Sequence, residues 1–155
     1  MVRLKEAESI VADGSLFRVL GAVAVGLGAV LLAASGFAVW VDAFGSELTG
    51  FRLAELIGDF GGDVEGVPPS WVGAVWYLLP LSAGGCWLGL FRRKPPTASS
   101  AHVWMGAAVV LGVGLYMLSQ GPRLGPLLAL AGGLLIGSGG AVGRLNRADS
   151  GPQDL

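Results

Sequence analysis

The sequence predicts an all-α fold: a polytopic membrane four-helix bundle, N-in/C-in, whose long extracytoplasmic first loop contains a short amphipathic helix. Three observations carry this. Hydrophobic residues make up 53% of the chain and charged residues 14%, and mean hydropathy is +0.67, far from the balance of a soluble domain. The apolar residues gather into four charge-free runs, each within the roughly 17–25 residues that cross a hydrocarbon core. The basic residues are unequally shared between the two sides of those runs.

Residues 1–16 read as a cytoplasmic amphipathic segment. Leu4, Ala7, Ile10 and Val11 lie on one side, and Asp13, Gly14 and Ser15 are expected to break the helix. Its polar face is acidic, which leaves two readings open, membrane adhesion and a loose tail. Residues 17–143 form the membrane domain, with spans at about 19–41, 71–91, 102–119 and 126–143. The first run is too long for the apolar region of a cleavable signal peptide, about 7–15 residues. Trp40 at its far end fits an aromatic interface anchor.

The second span starts at Trp71 and carries Pro80 near its middle. Proline has no amide proton to donate, so a local opening is expected, with Ser82 or a neighbouring helix compensating and a structural role favoured over gating. The turn QGPRLG joins the third span to the fourth, and residues 144–155 read as a disordered cytoplasmic tail. With the amino terminus inside, the cytoplasmic side holds Arg3, Lys5, Arg18, Arg92, Arg93, Lys94, Arg144 and Arg147, while the outside keeps Arg52 and Arg123. This asymmetry sets the orientation and predicts a multi-pass protein of the cytoplasmic membrane.

Small residues recur every four positions in the last span, at Gly125, Ala129, Gly133, Gly137 and Ala141, with Gly85 and Gly89 in the second and Ala22, Ala24, Gly26 and Gly28 in the first. That spacing lets helix backbones approach closely. Internal packing is favoured over a face kept for another protein, with Gly133 and Gly137 the candidate partner contacts. In the outer loop, residues 42–70, the stretch from Phe51 to Phe60 has helical periodicity. Leu53, Leu56, Ile57 and Phe60 form its apolar face, Thr49 a plausible N-cap and Gly61-Gly62 a stop. Those four apolar residues are the other candidate partner contacts, expected on the bundle mouth or on a partner. Asp42, Glu47, Glu55, Asp59, Asp63 and Glu65 make the loop acidic, at spacings that match no calcium loop.

Several chemistries lack the residues they need. The spans hold no carboxylate for proton-coupled export. A lone cysteine, Cys86, cannot support a dithiol oxidase, and a lone histidine, His102, cannot provide paired haem ligands. His102 reads as a solvated residue at a helix entrance and Cys86 as a small packing residue. No catalytic, cofactor-binding or metal-binding residue is assigned, and a net charge of −1 carries no nucleic-acid signal.

The first span ending in Trp40, the wording LTGFRLAELI at residues 48–57, VPPSW at 67–71 and the short second hairpin together resemble small four-helix membrane proteins of high-GC actinobacteria. The resemblance covers residues 17–143 and implies the architecture but no activity. The large first outer loop is also similar to that of claudin-type proteins, whose paired loop cysteines are missing here.

The residues therefore predict a non-enzymatic accessory or assembly protein. Its partners would be the lipid bilayer and other membrane proteins or further copies of itself, met through the 42–70 loop and Gly-rich helix faces. The alternative is a small oligomeric transporter or channel component, and a membrane enzyme ranks third.

Overall fold

The computed structural model describes residues 2–43, 45–63, 69–91 and 96–148. Its elements run α1 (Val2–Ser35), β1 (Val39–Ala43), β2 (Ser46–Thr49), α2 (Gly50–Phe60), α3 (Trp71–Phe91), α4 (Pro96–Gln120) and α5 (Leu124–Ala148). Within α1, α3, α4 and α5 lie four segments long and apolar enough to cross a membrane: Leu16–Ser35, Trp71–Leu88, Ser100–Gln120 and Leu124–Arg144. Glu65, the basic cluster Arg92, Arg93 and Lys94, and the tail beyond Ala148 lie outside the described residues.

Four boundaries depart from the sequence reading. The first helix continues without a break through Asp13, Gly14 and Ser15. One interior glycine costs a helix only about 1 kcal/mol, and no proline reinforces it. At its other end α1 stops at Ser35 rather than Val41, where Gly36, Phe37 and Ala38 donate their amides to the Ala33, Ala34 and Ser35 carbonyls in a tightening three-residue pattern. The third helix starts earlier, at Pro96, a residue well suited to a first turn. The last helix runs on through Arg144 to Ala148, so the first residues of the expected tail are helical.

The fold is also not purely helical, because β1 and β2 form an antiparallel hairpin. The β-branched Val39 and Val41 suit an extended backbone, and Gly45, with φ of 75°, supplies the left-handed residue of the turn. Register pairs Val39 with Thr49, Val41 with Leu48 and Asp42 with Glu47, and the irregularity falls between Val39 and Val41, at Trp40. A bulge re-aims the residue it carries.

Helix α5 is the most buried of the four spans, packing on α1 along one side and on α4 along another, while α3 packs on α1 and α2. Glycine decides both α5 interfaces. A Cβ on Gly28 would stand 2.7 Å from the Gly132 carbonyl oxygen and 2.9 Å from Ile136 Cγ1, and one on Gly139 would stand 2.6 Å from the Gly21 carbonyl oxygen. Gly21 and Gly28 therefore face Gly139 and Gly132 seven residues apart on each antiparallel helix, with Val25, Ala29 and Leu32 buried alongside. Across the other interface, a Cβ on Gly106 of α4 would meet Gly133 and Gly137 main-chain atoms at 2.5–2.6 Å. Backbone contact of this kind is how helices associate where lipid offers no hydrophobic drive.

Introducing leucine at Gly28 is expected to cost about 1–3 kcal/mol, the size seen for overpacked cores. Reversible unfolding in mixed detergent micelles measures it as a lowered midpoint. Alanine at Gly84, where an added Cβ meets nothing within 4 Å, should leave the midpoint unchanged or slightly raised. An unaltered midpoint for Gly28→Leu would remove the glycine seam as a structural determinant.

Candidate functional site

The chain reverses at Gly36 and lays the hairpin and α2 across one end of the helices, the loop end. Trp40 fastens it there. This residue is 3% exposed. Its Nε1 donates to the Ser35 carbonyl at 2.6 Å, and Tyr116 of α4 donates its hydroxyl to the Trp40 carbonyl at 3.1 Å. The Trp40 ring meets Trp76 edge-on at 5.5 Å and Tyr116 at 5.3 Å between centroids, a favoured aromatic geometry. Gly125 of α5 provides the floor, since a Cβ there would overlap the indole.

The amino end of α2 is fixed in the same way. The Gly50 and Phe51 amides donate to the Ala38 and Gly36 carbonyls, and Thr49 Oγ1 accepts from the Arg52 amide at 3.4 Å, as an N-cap should. The Phe51 ring covers Gly36 so closely that a Cβ there would come within 2.8 Å of it. Phe37 and Tyr77 flank Phe51. At the hairpin, Asp42 stands opposite Glu47, a like-charge pair that Arg123, from the turn between α4 and α5, relieves by pairing with Asp42. Both partners are over a third exposed, so this bridge adds little stability.

The six residues singled out in the sequence separate into two groups. Gly133 and Gly137 face Gly106 and Val109 of α4 in the same chain, the internal packing that their spacing favours over a face kept for another protein. On α2 the buried set is Gly50, Ala54 and Ile57, with Leu53 packed against the core from its edge. Gly73 of α3 takes the place a side chain would deny, since a Cβ on it would fall 2.6 Å from the Ala54 carbonyl oxygen. The helix is thus rotated relative to the expected apolar face: Leu56 is half-buried and Phe60 is 51% exposed. Small residues Gly50 and Ala54 allow the close approach, a signal that ranking side chains by hydrophobicity overlooks.

Leu56 and Phe60 instead line a groove of about 430 Å³ between β2 and α2, together with Glu47, Leu48, Glu55 and Asp59. A second groove of about 370 Å³ lies on the other side of the same helix, bounded by Glu55, Asp59 and Tyr77. Glu55 and Asp59 form the ridge between them. The one base of this helix, Arg52, reaches Glu55 at 3.2 Å, leaving Glu47 and Asp59 as carboxylates that no described ion pair engages. The groove, which Arg52 also lines, presents acceptor oxygens beside exposed apolar carbon.

Two further expectations change. His102 is 8% exposed, its imidazole set against the main chain of Cys86 in α3, because α4 begins at Pro96 and places this residue past the first turn. Helix α3 continues through Pro80. The Ser82 hydroxyl donates to the Leu79 carbonyl at 2.7 Å and not to that of Trp76, whose helical partner Pro80 lacks. Among the described residues no group of three or more His, Cys, Asp or Glu is placed to hold a metal ion. No protein-family model, curated protein or solved structure matches the chain.

Replacing Trp40 by alanine is expected to cost about 3–5 kcal/mol, as for other fully buried tryptophans, and Trp40→Phe about 1 kcal/mol through the lost hydrogen bond. Gly125→Ala should approach the alanine effect despite its conservative chemistry, because the new methyl displaces the indole. Near-ultraviolet circular dichroism through an unfolding titration reads all three, and a neutral Gly125→Ala would show that Trp40 does not depend on this floor.

Proposed function

We propose that the protein is a non-enzymatic accessory or assembly subunit of the cytoplasmic membrane, oriented with both termini inside, that presents the β2–α2 groove to an extracytoplasmic segment of a membrane partner. The observation that supports this is the fixed platform at the loop end. A loop held by Trp40, Tyr116 and Gly125 loses little conformational entropy on binding. Its exposed surface combines Glu47, Glu55 and Asp59, in excess over the single base Arg52, with Leu56 and Phe60, so charge steers a basic partner and the apolar pair holds it. Orientation follows the Lys and Arg distribution between the two sides of the spans.

The runner-up is an oligomeric transporter or channel component. Helices α3 and α4 are the least buried spans and leave large apolar side chains such as Leu81, Leu88, Leu115 and Leu118 exposed, surfaces that further copies of the chain would also cover.

A photo-crosslinking residue at Phe60 or Leu56, followed by mild detergent extraction, is expected to capture one membrane neighbour. The charge reversals Glu47→Lys and Asp59→Lys should reduce that capture at least fivefold while leaving the protein folded. Recovery of only monomer, or of the chain crosslinked to itself, would overturn the accessory reading, and substrate uptake by proteoliposomes of the purified protein would replace it with the runner-up.

A further inference from the structure

Helix α2 runs beside the start of α3 rather than beyond it. At its first residue a Cβ on Gly50 would stand 3.0 Å from the Trp76 ring, and the Phe51 ring lies 5.9 Å from that of Tyr77. Midway, Gly73 lies against the Ala54 carbonyl, and after the last turn Gly61 lies against Ser70. Between Trp76 and Ser70, α2 therefore climbs about 9 Å along the α3 axis. The apolar segment of α3 begins at Trp71, so most of α2 is level with it. The exposed ion pair of Arg52 and Glu55 falls in this stretch, where Glu55 shares a groove with Gly73, Ala74 and Tyr77.

Two limits fix where hydrocarbon ends at this side. A boundary at Trp71 would immerse the Arg52 and Glu55 charges, which is costly. The boundary therefore lies at about the level of Trp76, a level shared by Trp40, Tyr116, Gly125 and the end of α1 at Ser35. From there three helices run without charge toward the opposite end: residues 19–35 as far as Arg18, 76–91 as far as Arg92, and 125–143 as far as Arg144. At about 1.5 Å per residue these lengths are about 24–29 Å, close to one another and just under the roughly 30 Å of a hydrocarbon core. The core thus fills this interval, and what stands beyond it meets the headgroup layer, about 5–8 Å deep on each side. Phe37, Trp71, Leu118 and Leu124 are exposed at or beyond the Trp76 level, on four different elements or turns. Interfacial lipid covers apolar side chains that bulk water would leave bare.

We propose that the α2 platform is embedded in the lipid headgroup layer at the loop end, with hydrocarbon ending at about the level of Trp76. Arg52 and Glu55 then lie among the headgroups, Phe37 at the acyl boundary and Trp71 within the layer. The 9 Å climb of α2 takes up about the whole depth of that layer, with Arg52 deepest and Asp59 nearest to water. The surroundings are lipid because the exposed apolar surface of the spans continues without a break to this level. The proposal concerns depth alone and is independent of the accessory reading, since it holds with or without a partner in the β2–α2 groove.

The test uses the full chain in phosphatidylcholine nanodiscs, with a nitroxide on a single cysteine introduced by Arg52→Cys, Glu55→Cys, Asp59→Cys or, as the reference within a span, Leu81→Cys. Each carries Cys86→Ala and has unchanged near-ultraviolet circular dichroism. Collision of the label with oxygen, relative to a water-soluble nickel chelate, reads its depth. The ratio should be highest at position 81, intermediate at 52 and 55, and lowest at 59. Nickel collisions at 52 and 55 equal to those of free label in buffer put the platform in bulk water and overturn the proposal. Spin–spin broadening at 52 and 55, the mark of a second copy lying over α2, overturns it as well. In a second measurement, the unsubstituted chain in bilayers of increasing acyl length should have its highest unfolding midpoint at a core of about 24–29 Å. A midpoint that keeps rising to about 33 Å, the thickness of a sterol-rich membrane, overturns the boundary at Trp76.

Discussion

The indole of Trp40 is the meeting point of this structure, because five elements depend on it. Its Nε1 closes the end of α1 through the Ser35 carbonyl, the residue sits in the bulge of β1, and its main-chain carbonyl accepts from the Tyr116 hydroxyl of α4. Its ring touches Trp76 of α3, and Gly125 of α5 leaves it room. A large ring with one polar atom is well suited to this place: its area fills the junction where helices diverge, and its single donor is satisfied by a helix terminus whose carbonyls need a donor anyway. Moving the first span's end from Val41 to Ser35 follows directly, since the chain has to turn for the indole to enter.

The glycine seams act apart from that junction, along the helices. Contacts between Gly21, Gly28, Gly132 and Gly139 bring α1 and α5 together at backbone distance, and Gly106 does the same for α4 against Gly133 and Gly137. Helix α5 is thus committed on two sides, with Gly132 and Gly139 against α1 and Gly133 and Gly137 against α4. Large apolar side chains stay exposed on the outer sides of α1, α3, α4 and α5, and charged ones on the α2 ridge. The division is physical: small residues set the close approach of the helix backbones, and many large or charged ones remain at the surface.

Helix α2 shows how one short element serves both ends. Gly50, Ala54 and Ile57 lie against α3 and the turn after α1, which turns Glu55 and Asp59 into a ridge between two grooves. The Thr49 cap and the main-chain bonds from Gly50 and Phe51 fix its start, so the ridge is held at a set angle to the spans rather than on a flexible loop.

By itself the sequence determined the membrane class, the number of long apolar helices, and the presence of a capped amphipathic helix between Thr49 and Gly61, because hydrophobic run length, charge-free spans and capping residues are local quantities. The β-hairpin was hidden, since Val39, Trp40 and Val41 continue an apolar run that looks the same as the end of a helix until a reversal at Gly36 separates them. Nor could local pattern say which of many glycines face which helix, that Trp40 is interior, that His102 is buried, or that Leu56 and Phe60 turn away from the core. Those are pairings between residues far apart in the chain, decided only when α1, α4 and α5 close to backbone contact and leave the remaining volume to the aromatic rings.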